Sequence, residues 1–322
     1  MKSEILSLLK QNRPAYVSGE DISNTLQVSR TAIWKHIGAL REDGYVVDSL
    51  PRVGYRLVAV PDCLFPEELS PRLQTKIIGT SIVHYQTTTS TNDMAKELAI
   101  AGMPEGTIVV AEEQTGGRGR LGRVWQSPAG LGIWLSLILR PEINPMDAPK
   151  LTLLAAVALA RTMSSYPNVC PGIKWPNDIL VEGKKIAGVL TEMNAEMDRV
   201  NFIVLGIGIN INTQVTDLPE ELREIATSLY IVNRKKWGRV EFAANMLREL
   251  EELYLVFLKG DFAAILEEWK SFSVTLGHKV KVVSPRGENL VGVARDLDGD
   301  GAMILETSVG VKKIVSGEVL FE

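Results

Sequence analysis

A loop rich in glycine and arginine is the first stretch of the chain whose residue types suggest chemistry. From Gly116 to Arg123 the sequence GGRGRLGR holds four glycines and three arginines. Glycine lets backbone amides approach a ligand closely, and guanidinium groups bind carboxylates and phosphates through paired hydrogen bonds. Because plain linkers seldom alternate these two residues, the composition favours a loop that closes over an anion. The alternative is a solvated surface loop.

Two phosphate-binding motifs match this loop only in part. The glycines from Gly117 to Gly122 satisfy G-x-G-x-x-G, but a dinucleotide site requires a helix directly after them, and an apolar strand-like stretch follows here. The P-loop spacing also fits, yet Arg123 and Val124 stand where Lys and Ser or Thr are required. Both motifs are therefore excluded.

Hydrophobic patterning predicts the elements that must position the loop. A strand in GTIVVAEEQT leads into it, and a buried strand in GIWLSLILR follows it. We expect an apolar helix in DAPKLTLLAAVALARTMSS, a hairpin in GIKWPNDILVEGKKIAGVLTEM that turns at Glu182-Gly183, and a buried strand in NFIVLGIGININ. Residues 239–273 have the alternation typical of helices. The short strands expected after TLGHKV predict a small closing β-barrel.

The first 60 residues have a different pattern, which predicts a winged helix-turn-helix: three short helices and a two-stranded wing. Ser18 and Ser29 are the expected N-caps of the second and third helices. The third helix would enter a DNA major groove, and the predicted DNA contacts are Ser29, Arg30, Thr31, Lys35 and Arg52. A three-helix protein-interaction module is the alternative. The proline-bearing VAVPDCLFPEELSPRL is predicted to be a linker to the rest of the chain.

Composition and charge narrow the class of protein. The 322 residues suffice for two or three domains, and 45% hydrophobic with 23% charged residues is ordinary for a globular protein. The net charge is −4, but the first 60 residues hold eight Lys and Arg against six Asp and Glu, so nucleic-acid contact is expected there. The sequence has no long apolar run, no signal-peptide pattern and only two distant cysteines, which predicts a cytoplasmic protein without a membrane span.

Five segments carry a resemblance to a known family. In chain order they are STND (90–93), EEQTGGRGRLGRVW (112–125), KWPND (174–178), KKIAGVLTE (184–192) and GIGININ (206–212). Together they resemble the biotin–protein ligases, and the winged helix-turn-helix in front makes the chain similar to the bifunctional type, which also represses biotin synthesis genes. The resemblance covers essentially the whole chain. The loop and KWPND are specific in combination, whereas STND or GIGIN alone would be weak.

The resemblance implies an α+β multidomain fold. It has a winged helix-turn-helix in residues 1–62, a mixed α/β ligase core similar to class II synthetases in 63–274, and an SH3-like β-barrel in 275–322. It also implies that biotin and ATP form biotinyl-5′-AMP and pyrophosphate, with Mg²⁺, before the acyl group passes to a lysine of a biotin carboxyl carrier protein. Biotinyl-5′-AMP would then act as corepressor, promoting a homodimer that binds operator DNA.

The resemblance also assigns site residues. The implied catalytic residues are Lys185, Arg118 and Arg120, which would stabilise charge on the carboxylate and the α-phosphate. The residues implied to bind biotin and biotinyl-5′-AMP are Ser90, Thr91, Asn92, Gln114, Gly117, Arg118, Gly119, Arg120, Trp125, Lys185, Gly206, Gly208 and Asn210. Contacts to ATP or the carrier are assigned to Lys174, Arg123 and Arg295. Asp178 is assigned to Mg²⁺, with a turn-capping role as the alternative.

One segment departs from the family pattern. Bifunctional members often place a tryptophan after the GIGIN strand to stack on adenine, but residues 213–229 contain no aromatic side chain, and Trp237 lies too late in the sequence. Three alternative functions stay open at this level. They are a ligase for lipoate or another acyl group, a regulator that senses a small molecule without ligase activity, and a ligase whose front domain no longer binds DNA.

Overall fold

Residues Met1–Cys63 and Leu64–Glu322 form two units of the chain. The computed structural model describes residues 1–284 and 289–322. The first unit contains α1 (Lys2–Gln11), α2 (Gly19–Leu26), α3 (Arg30–Glu42), β1 (Val46–Leu50) and β2 (Gly54–Ala59). Strands β1 and β2 pair antiparallel, as expected for a wing.

Serine caps and an apolar stripe explain the local structure of the first unit. Ser18 Oγ accepts a hydrogen bond from the Asp21 amide at the start of α2, and Ser29 Oγ caps α3 in the same way. One face of α3 is buried, and its residues Ile33, Ile37 and Leu40 are at most 1% exposed. The three helices and the hairpin predicted from the sequence are therefore confirmed.

The second unit is built on strands that the sequence predicts as buried. Its helices are α4 (Pro66–Leu69), α5 (Thr91–Ile100), α6 (Ala148–Ser164), α7 (Leu229–Asn233), α8 (Arg239–Leu258) and α9 (Phe262–Ser271). Its first seven strands are β3 (Ser81–Thr88), β4 (Thr107–Gln114), β5 (Gly132–Leu139), β6 (Pro171–Lys174), β7 (Asp178–Val181), β8 (Lys184–Ala195) and β9 (Val200–Asn210).

These seven strands form one sheet in the order β3-β4-β5-β9-β8-β7-β6. Only β3 and β4 run parallel, and the other neighbours are antiparallel. The predicted hairpin turn lies between β7 and β8, where Glu182 and Gly183 both have positive φ angles, of 53° and 77°. All eight positions of β5 are buried, which fits a strand covered on both faces.

Helices cover the two faces of this sheet unequally. On one face α6 packs against α8 and α9 over a large apolar core. On the other face α5 packs through Ala95 and Ala99 against Val109, Ile138 and Val204 of the sheet. The first turn of α5 directly follows β3, and beside it the end of the sheet where β3, β4 and β9 finish is open to a cavity.

The prediction of a plain linker over residues 58–73 is wrong for its second half. Leu64 and Leu69 are fully buried, and α4 begins at Pro66. The Leu64 amide donates to Glu112 Oε1 at 2.8 Å. The prolines suggested an extended segment, but the apolar residues between them give it a buried face in the core.

The C-terminal strands form a second sheet. They are β10 (Lys279–Val283), β11 (Asn289–Leu297), β12 (Met303–Thr307), β13 (Gly310–Ile314) and β14 (Glu318–Phe321), in the order β13-β12-β11-β10-β14. The predicted small β-domain is present. Within residues 1–284 and 289–322, β13 and β14 are the edges of the sheet and do not pair, so barrel closure stays a prediction. Over the same residues, the helices are too short or too polar to cross a bilayer.

Glu251 supplies a test of how α8 holds the segment before β3. Its carboxylate is 5% exposed and accepts hydrogen bonds from the amides of Lys76, Ile77 and Ile78, at 2.6 to 2.8 Å. Because Glu251→Gln brings an NH₂ group against these donors, we expect it to lower the free energy of unfolding by roughly 2 kcal/mol. Hydrogen exchange at amides 76–78 should become faster, while Glu252→Gln, at an exposed neighbouring position, should change neither quantity.

Candidate active site

A cavity of about 250 Å³ lies at the open end of the seven-stranded sheet, beside the first turn of α5. The glycine-arginine loop joins β4 to β5 and forms one wall of this cavity. Most of the residues predicted for the site line the cavity: Ser90, Thr91, Asn92, Gln114, Arg118, Gly119, Arg120, Arg123, Trp125, Lys174, Asp178, Lys185, Gly206, Gly208 and Asn210. Tertiary structure thus brings together segments that are separated by more than 100 residues in sequence.

A buried polar cluster forms the inner part of the cavity. The Thr91 amide and hydroxyl both donate to Gln114 Oε1, at 2.8 and 3.0 Å. Ser136 Oγ lies 2.8 Å from Thr91 Oγ1 and 2.6 Å from Asn92 Oδ1. Ser90, Thr91 and Asn92 are at most 4% exposed. Buried hydroxyl and amide groups collected in this way can pair with a ligand that has both donors and acceptors.

Glycines of β9 make room for two of these side chains. A Cβ atom on Gly206 would lie 2.1 Å from Asn92 Oδ1, and one on Gly208 would lie 2.6 Å from Trp125 Nε1. In this structure, therefore, the space beside the two glycines is taken by Asn92 and by the Trp125 ring. Gly117 is also required, because a Cβ there would lie 2.5 Å from the Trp125 carbonyl oxygen. Asn210, two residues after Gly208 in β9, donates to the Thr227 carbonyl at 3.1 Å.

The loop itself is a short excursion with an exposed tip. The Gly119 amide donates to the Arg123 carbonyl at 2.7 Å, and the Trp125 amide donates to the Gly117 carbonyl at 2.9 Å. These bonds narrow the base of the loop. At the tip Leu121 and Val124 are 59% and 75% exposed. The tip therefore has few contacts that hold it, which is typical of a segment that can close over a ligand.

Arg118 holds the first half of the loop to α5. Its two terminal nitrogens each lie 2.5 Å from an oxygen of the Asp93 carboxylate, and Nη2 lies 3.5 Å from Glu192 Oε2. The hydrogen bond from Arg118 lowers the pKa of Asp93, and that bond in turn raises the pKa of Arg118. The guanidinium is therefore already paired in this structure, which makes Arg118 a connection between the loop and the polar cluster.

Arg120 is the more deeply placed arginine of the loop. Its Nη1 donates to Asn177 Oδ1 at 3.1 Å, and Asn177 in turn donates to the Val189 carbonyl at 2.8 Å. Burial lowers the pKa of Arg120, while the carboxylates of Asp178 and Glu318 oppose this shift. A desolvated guanidinium bonded here to a neutral amide is well suited to attract an anion.

Lys185 projects into the cavity from the start of β8. Its Nζ lies 2.6 Å from Asp178 Oδ1 and 5.3 Å from the centre of the Trp125 ring. The Lys185 amide donates to the Ile225 carbonyl, which ties β8 to the segment over the cavity. Lys184 has a different environment, because its ammonium donates to the Arg223 carbonyl outside the cavity. Of the two neighbouring lysines, only Lys185 belongs to the site.

The C-terminal sheet reaches the rim of the same cavity. Arg123 Nη2 lies 2.5 Å from Glu318 Oε2 of β14, and Gly317, Glu318 and Val319 line the rim. Lys174 Nζ lies 5.5 Å from the centre of the Phe321 ring, and burial lowers its pKa. Arg295 lies elsewhere on this sheet, does not line the cavity, and pairs with Glu306. The structure therefore brings Lys174 and Arg123 to the site but not Arg295.

The segment after β9, which contains no aromatic side chain in residues 213–229, contributes aliphatic side chains to the cavity. Leu218, Leu222 and Ile225, from the segment after β9, line the cavity. Trp237 is not part of it: its ring packs edge-on against Tyr166 with a centroid separation of 4.8 Å, and its amide donates to Asn212.

Several residues that the structure places at the site were not assigned from the sequence. Asp93, Asn177 and Glu192 lie inside the quoted motifs, so their positions next to assigned residues could have indicated a role in the site. Ser136 is a lone hydroxyl in an otherwise apolar strand, which marks a buried polar contact. Glu318 had no signal, because only tertiary packing brings β14 to the loop.

The predicted DNA-contact residues lie on the surface of the first unit. Ser29, Arg30, Thr31 and Lys35 are exposed around the first turns of α3. Arg30 Nη2 lies 3.2 Å from Glu20 Oε2, but both side chains are about 70% exposed, so this ion pair is weak. Arg52, at the tip of the wing, has a positive φ of 64°.

Models of three families match successive parts of the chain. Residues 83–210 match the biotin/lipoate A/B protein ligase family, residues 2–56 match an HTH domain, and residues 275–321 match the biotin protein ligase C terminal domain. Among solved structures, the biotin protein ligase from Aquifex aeolicus in complex with biotin and ATP is 29% identical with a TM-score of 0.64, and the match covers 76% of this chain and 99% of that one.

Two relatives match the chain over nearly their whole length. The bifunctional ligase/repressor BirA of Bacillus spizizenii is 42% identical over 99% of this chain and 98% of that protein. BirA of Escherichia coli is 30% identical over 94% of this chain and 92% of its own length. With its helix-turn-helix, ligase core and C-terminal domain all matched, the chain belongs to the biotin protein ligase family, in the group of bifunctional ligase/repressors.

Proposed function

We propose that this chain joins biotin to ATP as biotinyl-5′-AMP and then passes the biotinyl group to a lysine of a carrier protein. The observation that carries the proposal is the lining of one cavity: it combines the buried hydroxyl and amide groups at the first turn of α5 with the cations Arg120, Lys174 and Lys185 on the loop, β6 and β8. A neutral ring with an amide-like head and a carboxylate tail fits that combination. A lone anion would need no neutral polar groups.

In the first step, the chain's role is to position two anions. Thr91, Asn92 and Gln114 would pair with the ureido ring, and Lys185 with Arg120 would hold the carboxylate against the α-phosphate. A carboxylate oxygen attacks the α-phosphorus, and the bond to the pyrophosphate oxygen breaks. Because negative charge builds on the phosphorus oxygens, fixed cations lower the barrier without a proton transfer.

In the second step, the amine of the carrier lysine attacks the acyl carbon, a proton is lost, and AMP leaves. The exposed tip of the loop is where a carrier would have to reach the adenylate. Asp178 offers one carboxylate beside Lys174 and Lys185, which fits Mg²⁺ held by one protein oxygen together with phosphate oxygens. Such an ion would neutralise the leaving pyrophosphate.

Finer assignments belong to the same proposal. The leucines and isoleucine over the cavity would cover adenine in place of a stacked ring. The ligase core is of the class II synthetase type, and the C-terminal strands form an SH3-like barrel. Since Arg295 lies away from the cavity, a contact with the carrier is a better role for it than one with ATP.

The proposal extends to gene regulation. Biotinyl-5′-AMP acts as corepressor by favouring a homodimer, and two copies of α3 then fit the half-sites of a palindromic operator upstream of biotin genes. The exposed cations around α3 support this role, as does the pairing of ligase with repressor in the names of the full-length relatives.

Biotin-dependent exchange between ATP and pyrophosphate tests the ligase proposal. The wild-type chain should catalyse this exchange with biotin, and lipoate or octanoate should neither replace biotin nor compete with it. Lys185→Met should reduce the exchange by about a hundredfold or more, because it removes a cation beside the developing charge. Lys184→Met is the matched control and should retain full exchange. No exchange by the wild-type chain would refute the proposal.

The pairing of Asp93 with Arg118 predicts a shared effect on biotin binding. Asp93→Asn and Arg118→Met should each raise KM for biotin roughly tenfold, because either change frees the start of the loop. The double variant should be no worse than Arg118→Met alone, since that change has already removed the contact with Asp93. Glu97→Gln, an exposed position on the same helix, serves as control. Additive losses in the double variant would show that the two residues act separately.

Gel retardation and sedimentation test the regulatory part. With biotin and ATP present, the full chain should sediment as a larger species and retard DNA from upstream of biotin genes. Arg30→Ala combined with Lys35→Ala should abolish the retardation while the exchange reaction continues at the wild-type rate. An assembly state that ignores both ligands would rule out the proposed switch.

A further inference from the structure

Trp34 is an exposed aromatic residue in the middle of α3. The chain has six tryptophans, and the other five are buried or half-buried, whereas Trp34 is 68% exposed. The core of the first unit is complete without it, because Ile33, Ile37 and Leu40 fill the inner face of the helix. Removing this indole surface from water would be favourable, so Trp34 offers an apolar contact to any partner that binds this face of α3.

The neighbours of Trp34 define a cationic strip on the helix. Arg30, Trp34 and Gly38 follow at intervals of four residues and therefore lie along one line of α3. Thr31 and Lys35 flank that line and are exposed. We call these five residues the outer strip of α3. Its side chains combine positive charge with one large apolar group.

The packing of the first unit does not require a glycine at position 38. A Cβ atom there would meet no atom within 4 Å, and the residue has ordinary helical geometry. Glycine inside a helix costs about 1 kcal/mol relative to alanine, so nothing within the described part of the first unit accounts for it. A missing side chain one turn after Trp34 does allow a partner to approach the helix closely.

Charge selects the kind of partner. The first 60 residues carry a net charge of +2, while the remainder of the chain carries −6, from 27 basic and 33 acidic residues. A polyanion is therefore favoured over a neutral protein surface, and the B-DNA major groove is wide enough to admit a helix. The bases present one apolar group in that groove, the C5-methyl of thymine.

We propose that Trp34 reads thymine in the operator, packing its indole against a C5-methyl group, with Gly38 letting the helix sit deep enough for this contact. The inference rests on the proposed operator binding and adds the base class that α3 recognises there. Arg30 and Lys35 then contact phosphates on either side, which fixes the position of the helix without specifying a base.

In-vitro selection from a random pool of duplexes supplies the DNA probe directly. The full chain, with biotin and ATP, performs the selection, and the selected sites should contain a fixed thymine in each half-site. Uracil at that thymine removes only the methyl group and should weaken binding about fourfold. Trp34→Ala should weaken binding to the thymine duplex by at least as much and become insensitive to uracil. Val46→Ala, which shortens another exposed apolar residue, should keep the wild-type sensitivity.

Photocrosslinking gives a second measurement. It uses the wild-type chain, so it does not require a substituted chain to fold. With 5-iodouracil at the fixed thymine, irradiation should join the DNA to the tryptic peptide that contains Trp34. A crosslink to another peptide would overturn the inference, as would uracil sensitivity that survives Trp34→Ala but disappears in Thr31→Ser.

Two further outcomes distinguish a failure of the thymine assignment from a failure of operator binding itself. If the wild-type chain selects no sequence, operator binding itself fails. If it selects a sequence but Trp34→Ala changes only sedimentation without DNA, the outer strip is a contact between protein copies, and the thymine assignment is wrong.

Discussion

Compensation of charge inside one cavity is the constraint on which the rest of this structure depends. Cations that are needed to bind carboxylate and phosphate repel one another when they are collected in a partly desolvated space. The chain pairs most of them in advance: Arg118 with Asp93, Lys185 with Asp178, and Arg123 with Glu318. An incoming anion then competes with carboxylates that are already in place, which favours ligands with more than one negative group.

The fold supplies these partners from parts of the chain that are distant in sequence. The open end of the sheet lies beside the first turn of α5, where Ser90 to Asp93 face the loop from one side. The hairpin of β7 and β8 brings Asp178 and Lys185 from another side, and β14 contributes Glu318 at the rim. Regular elements carry these side chains, while the tip of the loop is mostly exposed and is held at the rim by its ion pair with β14. Side chains fixed on regular elements reduce the entropy lost when two substrates are held together, and an exposed tip allows the substrates to enter.

Glycines serve packing in the cavity as much as they serve ligands. The family resemblance implies that Gly206 and Gly208 contact the bound ligand. The structure shows a further reason, because Asn92 and Trp125 occupy the space that side chains at these positions would need. The two glycines therefore let Asn92 and Trp125 pack directly against β9 at the wall of the cavity.

The sequence by itself determined the domain order, the elements of the sheet and most of the residues around the cavity. Hydrophobic periodicity is a local property, and the motifs record chemistry whose residue types are hard to replace. Tertiary structure alone decided which charges are paired. It assigned Asp93 and Glu192 to Arg118, Asn177 to Arg120 and Glu318 to Arg123, and it moved Arg295 away from the site. It also buried part of the proline-rich segment that resembled a linker. Such pairings depend on where β14, α5 and the hairpin meet in space, and no spacing along the chain encodes that distance.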